Sequence, residues 1–269
     1  IYPAYQNLIT ALEALKGKGT NEQGLCYLPY GKKYYAYLVR QATGCSESIS
    51  RLRLMTKSQI LEDLNAMQKV LFPADAALIQ ASVLEQTPPD SMLDDLRSKI
   101  TSAFPEIPDV DFQVKYVPEA MQDYLSPAFY MIPAIDNLTE NVIYINNGQT
   151  ASGLNLYTTL AHEGYPGHLY QTVYFSASDP DPIRNVLDFG GYIEGWATYA
   201  EMMSYYLAPL SKTDASLLQK NSSIILGLYA LADIGIHYDG WSVPDTIRFF
   251  SDYGINDANA IQSVYELII

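Results

Sequence analysis

The chain has 269 residues, 48% of them apolar and 17% charged, a globular composition long enough to bury a sizeable core. Its 30 acids against 16 bases leave a net charge of −14, which argues against a nucleic-acid partner and against anionic membrane surfaces, since both would repel it. No window of about eighteen apolar residues reads as a transmembrane helix, and no signal peptide is visible.

The chain begins at Ile1 and ends at Ile269 directly after an apolar helical pattern, so it reads as a piece of a longer one. Residues 4–16 form the first predicted helix, with Leu8, Leu12 and Leu15 on one side. Residues 31–42 follow Gly31 as a second. Cys26 and Cys45 flank this stretch; they are either a disulfide pair suited to an oxidising compartment or two free thiols. Ser46 or Ser48 could cap the next helix, of which 58–71 is strongly patterned. A further helix is expected over 75–86, and Ser91 with Asp94 resembles a capping box before another. The pattern then changes. Residues 108–118 alternate between prolines and read as a strand, and "AFYMIPA" and "NVIYINN" read as two more around turn residues. The second of these is a candidate sheet edge that could receive an extended peptide. From 154 onward helices return, at 154–163, 166–177, 190–208, 213–236, 243–252 and 257–268. Ser242 and Asp245 cap the helix that begins at 243.

The chemistry concentrates in "AHEGYPGHLYQ". His162 and Glu163 open like the zinc-hydrolase pattern HExxH, in which two histidines one turn apart bind the metal and the glutamate acts as general base. Here the second histidine, His168, follows after six residues, about 240° round a continuous helix, so a regular helix points the rings apart. Gly164, Pro166 and Gly167 supply the remedy. Proline disrupts the helix and displaces Tyr165, while the glycines accept unusual backbone angles. A kink there could return His168 to His162; otherwise these are two unrelated histidines at a helix junction. In "YIEGWATYAEMMSYY", Glu194, Thr198, Glu201 and Tyr205 share one stripe of an otherwise apolar helix. Glu194 is placed to be a third ligand from a second helix. Glu201, roughly 10 Å further along, could orient a histidine from behind. Asp233 and His237, four residues apart, could likewise form an oriented pair, or His237 could simply cap a helix C-terminus.

Taken together, "AHEGYPGHLYQ", "YIEGWATYAE" and "DIGIHYDGWS" resemble the bacterial DUF885 family, regarded as zinc metallopeptidases related to the gluzincins; "YGKKYYAYLV" and "IPAIDNLTENVIYINN" also fit. The chain would correspond to the C-terminal part of a full-length member. The resemblance implies a Zn2+ cofactor on His162, His168 and Glu194, with Glu163 as the base. It implies His237 beside the cleft as an oxyanion donor, with Tyr192 or Tyr238 as further candidates, and a secreted or lipid-anchored bacterial protein. "SSIILGLYALAD" lacks the arginines that members often carry there. The expected fold is mainly α (α+β), a single catalytic domain over 1–269 with a small central sheet beside the cleft. Its expected parts are a helical subregion 1–106, the sheet at 107–150 and a helical metal-site subregion 151–269. The expected function is a zinc peptidase acting on peptide substrates. The alternatives are a non-catalytic envelope-associated helical module that binds peptides or partners, and a zinc hydrolase of non-peptide amides or esters. No oligomeric state follows from the sequence.

Overall fold

A computed structural model describes residues 1–19, 23–71, 84–137, 139–149, 153–187 and 189–269. The described chain is mainly helical with one small sheet. It packs as two compact units, one of residues 1–40, 47–57 and 226–269, the other of residues 41–46 and 58–225. Each unit is thus assembled from separated segments of the chain.

In the first unit α1 (Tyr2–Glu13) forms near its expected place, but it buries no residue, and Leu8, Leu12 and Leu15 are exposed. A short 3-10 turn (Leu25–Tyr27) precedes α2 (Gly31–Thr43), and Ser48 caps α3 (Ile49–Leu71) by accepting from Arg51 N–H. The C-terminal part of α8 (Lys212–Ile234) runs into one π-helical turn, Gly235–Asp239, followed by α9 (Val243–Ser251) and α10 (Ala258–Ile268). The Ser242–Asp245 capping box opens α9 as the sequence indicates. Tyr35, Ile49 and Ile234 form the core of this unit.

Cys26 and Cys45 are both free thiols, so the disulfide that was one of two readings is not formed. Most of the segment between them is α2, whose 13 residues make a rod of about 20 Å that holds its ends apart. The Cys26 thiol instead donates to the Ile236 carbonyl.

In the second unit α4 (Pro89–Ile100) starts two residues before Ser91, with Pro88 as its N-cap. The expected Ser91 capping box is absent because Pro89, with its fixed φ and no N–H to lose, takes the first helical position. The helix expected over 75–86 falls mostly outside the described residues; its last three, Leu84–Gln86, form a 3-10 turn. Strands β1 (Phe112–Tyr116), β2 (Ala128–Met131) and β3 (Asn141–Ile145) make a sheet of order β1-β3-β2. β1 runs parallel to β3, and β2 antiparallel to it. "NVIYINN" is thus the central strand, not the edge. It is central because Asn141, Ile143 and Ile145 all point into the core, whereas β2 leaves Met131 exposed.

One face of the sheet packs with Met92, Leu93 and Leu96 of α4 and with Leu160 and Ala161 of α5 (Gly153–Glu163). This core holds α5, and hence the metal-like motif at its end, against β2. In the same unit the Asp63 carboxylate of α3 is buried and receives Lys220 Nζ, Ser223 Oγ and Gln59 Nε2.

Candidate metal centre

α5 ends at Glu163, and α6 (His168–Ala177) begins at the second histidine itself. The four residues between form the expected break. Gly164 N–H still bonds back to Leu160 O, but Gly167 N–H reaches Ala161 O and Tyr170 N–H reaches Gly164 O, so the chain folds tightly over the end of α5. The Tyr165–Pro166 peptide is cis. Gly167 is demanded here by space: a Cβ on it would lie 1.7 Å from His162 O. Tyr165 is fully buried among the core residues, and Trp196 Nε1–H donates to Pro166 O at 2.7 Å, which ties the turn to α7 (Gly190–Ser204).

This turn brings the imidazoles of His162 and His168 together, with ring centroids 4.8 Å apart and planes at 83°. Glu194, from α7, places Oε2 3.5 Å from Nε2 of His162 and 3.5 Å from Nε2 of His168. Ligand atoms of His162, Glu163 and His168 also lie within 4.8 Å of one another. Four donors at zinc's usual distance of about 2.0–2.1 Å, tetrahedrally arranged, stand about 3.4 Å apart. The two separations from Glu194 match such edges, and the donor set of two imidazoles and one carboxylate fits a zinc-type cation. The histidine side chains are 19% and 14% exposed and Glu194 is 63% exposed, so the cluster is walled by protein on one side and open to solvent at the carboxylate.

The outlying groups fix the inner ones. Glu201, two turns along α7, sets Oε2 3.1 Å from His162 Nδ1, as expected from the stripe it shares with Glu194. Glu163 Oε2 accepts from Tyr130 N–H at 2.8 Å. This contact with β2 could not be found from the sequence, because a main-chain donor carries no residue signature. Burial raises the Glu163 carboxyl above its ordinary range, with the Tyr130 N–H opposing in part. For His162 burial acts downward, but the Glu201 hydrogen bond and the nearby carboxylates outweigh it, and its pKa is raised. Burial and the neighbouring His162 lower that of His168.

The remaining candidates occupy other surroundings. Tyr192 lines a cavity with Trp196 and Tyr199 instead of facing the histidines, since it sits about 160° round α7 from Glu194. His237 belongs to the first unit, where Nδ1 accepts from Leu25 N–H at 3.1 Å and Nε2 lies 2.9 Å from Ile268 O. Its orientation thus comes mainly from the main chain. Asp233, 3.8 Å from His237 Nε2, accepts a very short bond from the Tyr35 hydroxyl. Tyr238 packs against Tyr35, with the Lys32 ammonium over its ring.

Comparison with solved structures gives the same fold in a "putative lipoprotein" from Colwellia psychrerythraea, with TM-score 0.77 and 20% identity over 99% of this chain and 50% of that one. A "putative lipoprotein of unknown function" from Shewanella oneidensis matches with TM-score 0.65 and 16% identity over 98% of this chain and 53% of that one. The chain therefore spans about half the length of the structures it matches. No curated protein matches it. A family profile described as "Bacterial protein of unknown function (DUF885)" matches residues 1–267.

Proposed function

Because the chain belongs to the DUF885 family, whose description assigns no activity, we propose a function from the site itself: a zinc-dependent peptidase. The observation that carries this reading is the place of Glu194 Oε2, 3.5 Å from Nε2 of both histidines. His162, His168 and Glu194 would hold the ion. Bound there, zinc supplies a Lewis acid that makes water easier to deprotonate and polarises a carbonyl.

The chain's own residues supply the rest. Glu163 is anchored through Oε2 by Tyr130 N–H, which leaves Oε1 to take a proton from the attacking water and deliver it to the leaving nitrogen. Burial makes this carboxylate a stronger base than an exposed one. Glu201 Oε2, 3.1 Å from His162 Nδ1, would accept from the proton-bearing Nδ1 of the neutral ring and so turn the Nε2 lone pair toward the ion.

The hydrogen-bond phase of the sheet accounts for the anchor of Glu163. Asn146 N–H donates to Pro127 O, and with Ala128 opposite Ile145 and Tyr130 opposite Ile143 this phase turns the amide of Tyr130 away from β3 and toward Glu163 Oε2. The lipoprotein descriptions of the two solved relatives support a place in the cell envelope.

The test combines elemental analysis with peptide hydrolysis. Wild-type protein is expected to carry one zinc. Glu163→Gln should keep that zinc while losing turnover by at least about 100-fold, and His168→Ala should lose the zinc. A zinc-free wild type in zinc-supplemented buffer, or undiminished turnover in Glu163→Gln, overturns the proposal.

A further inference from the structure

Away from the histidines, α6, α7 and the segment after α4 border an open cavity of about 720 Å³, within the range of small-molecule sites, about 300–1,000 Å³. It lies on the other side of α7 from the metal-like cluster. Tyr192, Trp196 and Tyr199, which line it, sit about 140–200° round the helix from Glu194. Its walls are aromatic and ordered. The rings of Tyr174 and Trp196 each lie parallel within 13° to that of Tyr170, at 6.0 and 6.2 Å, and Tyr170 itself is buried. Tyr170 is itself pinned by its hydroxyl to Pro105 O, and Trp196 by its N–H to Pro166 O. The result is an aromatic wall held in place from behind, in which Tyr174 and Trp196, not the buried Tyr170, can meet the face of a planar ring.

The charge at the rim selects further. Arg184 lines the same cavity, with its guanidinium 5.2 Å from the centroid of the Phe175 ring. In a chain of net charge −14, it forms no ion pair among the described residues. A planar guanidinium held over a ring offers paired donors matched to a carboxylate, and it repels cationic guests. The exposed rings of Tyr174, Tyr192 and Tyr199 border the opening.

We propose that this cavity is a binding site for a small aromatic carboxylate, with the ring against Tyr174 and Trp196, backed by Tyr170, and the anion on Arg184. The site is independent of the peptidase reading, because none of its lining residues belongs to the histidine cluster.

The experiment is calorimetric titration of the whole chain with 3-phenylpropanoate. Its uncharged amide, 3-phenylpropanamide, and the ringless acid hexanoate serve as comparators. Saturable one-to-one binding is expected for 3-phenylpropanoate, weakened about tenfold or more by Arg184→Gln, the loss of a hydrogen bond to a charged group. Tyr174→Leu should weaken it as well, and both comparators should bind more weakly than the aromatic acid. Both substitutions are at exposed side chains, and unchanged circular dichroism would show that each variant is folded. A metal chelator should leave the binding intact. Absence of saturable binding, equal affinity in Arg184→Gln, or hexanoate binding as tightly as 3-phenylpropanoate overturns the proposal.

Discussion

Glu201 Oε2 lies 3.1 Å from Nδ1 of His162, while Glu194 Oε2 faces the Nε2 of the same ring. One imidazole thus faces two acids of one helix, and with a cation held between Nε2 and Glu194 the contact of Nδ1 with Glu201 would be the one that orients the ring. Glu201→Ala frees the ring and loosens its tautomer, and a loss of about 10–100-fold in zinc affinity is expected. Competition with a chromogenic chelator measures it. A change of less than about threefold would remove Glu201 from any role in holding the ring.

Two glycines close to the site should respond in opposite directions. A Cβ on Gly167 would collide with the His162 carbonyl, and one on Gly195 would meet nothing within 4 Å. Gly167→Ala should lower stability by about 1–3 kcal/mol or more, as forced repacking does, and weaken metal binding by opening the turn. Gly195→Ala, inside α7, should stabilise by about 0.5–1 kcal/mol through helix propensity. Urea unfolding of the two variants beside wild type reads both.

The histidine–glutamate cluster was legible because the helix angle alone forbids a continuous helix from joining His162 to His168, and the intervening Gly-Tyr-Pro-Gly announces how the chain escapes. Glu194 and Glu201 were legible for the same reason, as a polar stripe on an apolar helix. What could not be read was decided across long chain separations. The partner of Glu163 is the main chain of Tyr130, and the partners of His237 are the N–H of Leu25 and the carbonyl of Ile268. The edge of the sheet is not legible in the sequence, because "NVIYINN" alternates as well as an edge strand does, and its central position depends on β1 and β2 pairing on either side.

Stability against acid should depend on Asp63. Burial alone would raise its carboxyl, but hydrogen bonds from Lys220, Ser223 and Gln59 outweigh that and hold it below the ordinary range. A carboxyl with a depressed folded pKa adds stability that is complete above the unfolded value, about 4, and is lost as pH falls through the folded value. Asp63→Asn should lower stability by about 1–3 kcal/mol at neutral pH, with a flatter decline below about pH 4 than wild type. Chemical denaturation across that range checks the slope. Parallel curves would show that Asp63 does not set it.

Both thiols should be countable. With Cys26 and Cys45 free, titration in denaturant without reductant is expected to find two reactive thiols per chain. Finding none in protein recovered from an oxidising compartment would mean that α2 gives way enough to let them join.

Glu163 closes α5, so the negative pole of that helix dipole arrives where Glu163, Glu194 and Glu201 already crowd. Without a cation only the imidazolium of His162, favoured by these same carboxylates, offsets that charge, and a dication would turn the remaining repulsion into cohesion. Resistance to heat should then follow the supply of metal, by about 2.7 kcal/mol at one hundred times the dissociation constant. A shortage of zinc would be felt first as softness in the protein, before any question of turnover arises.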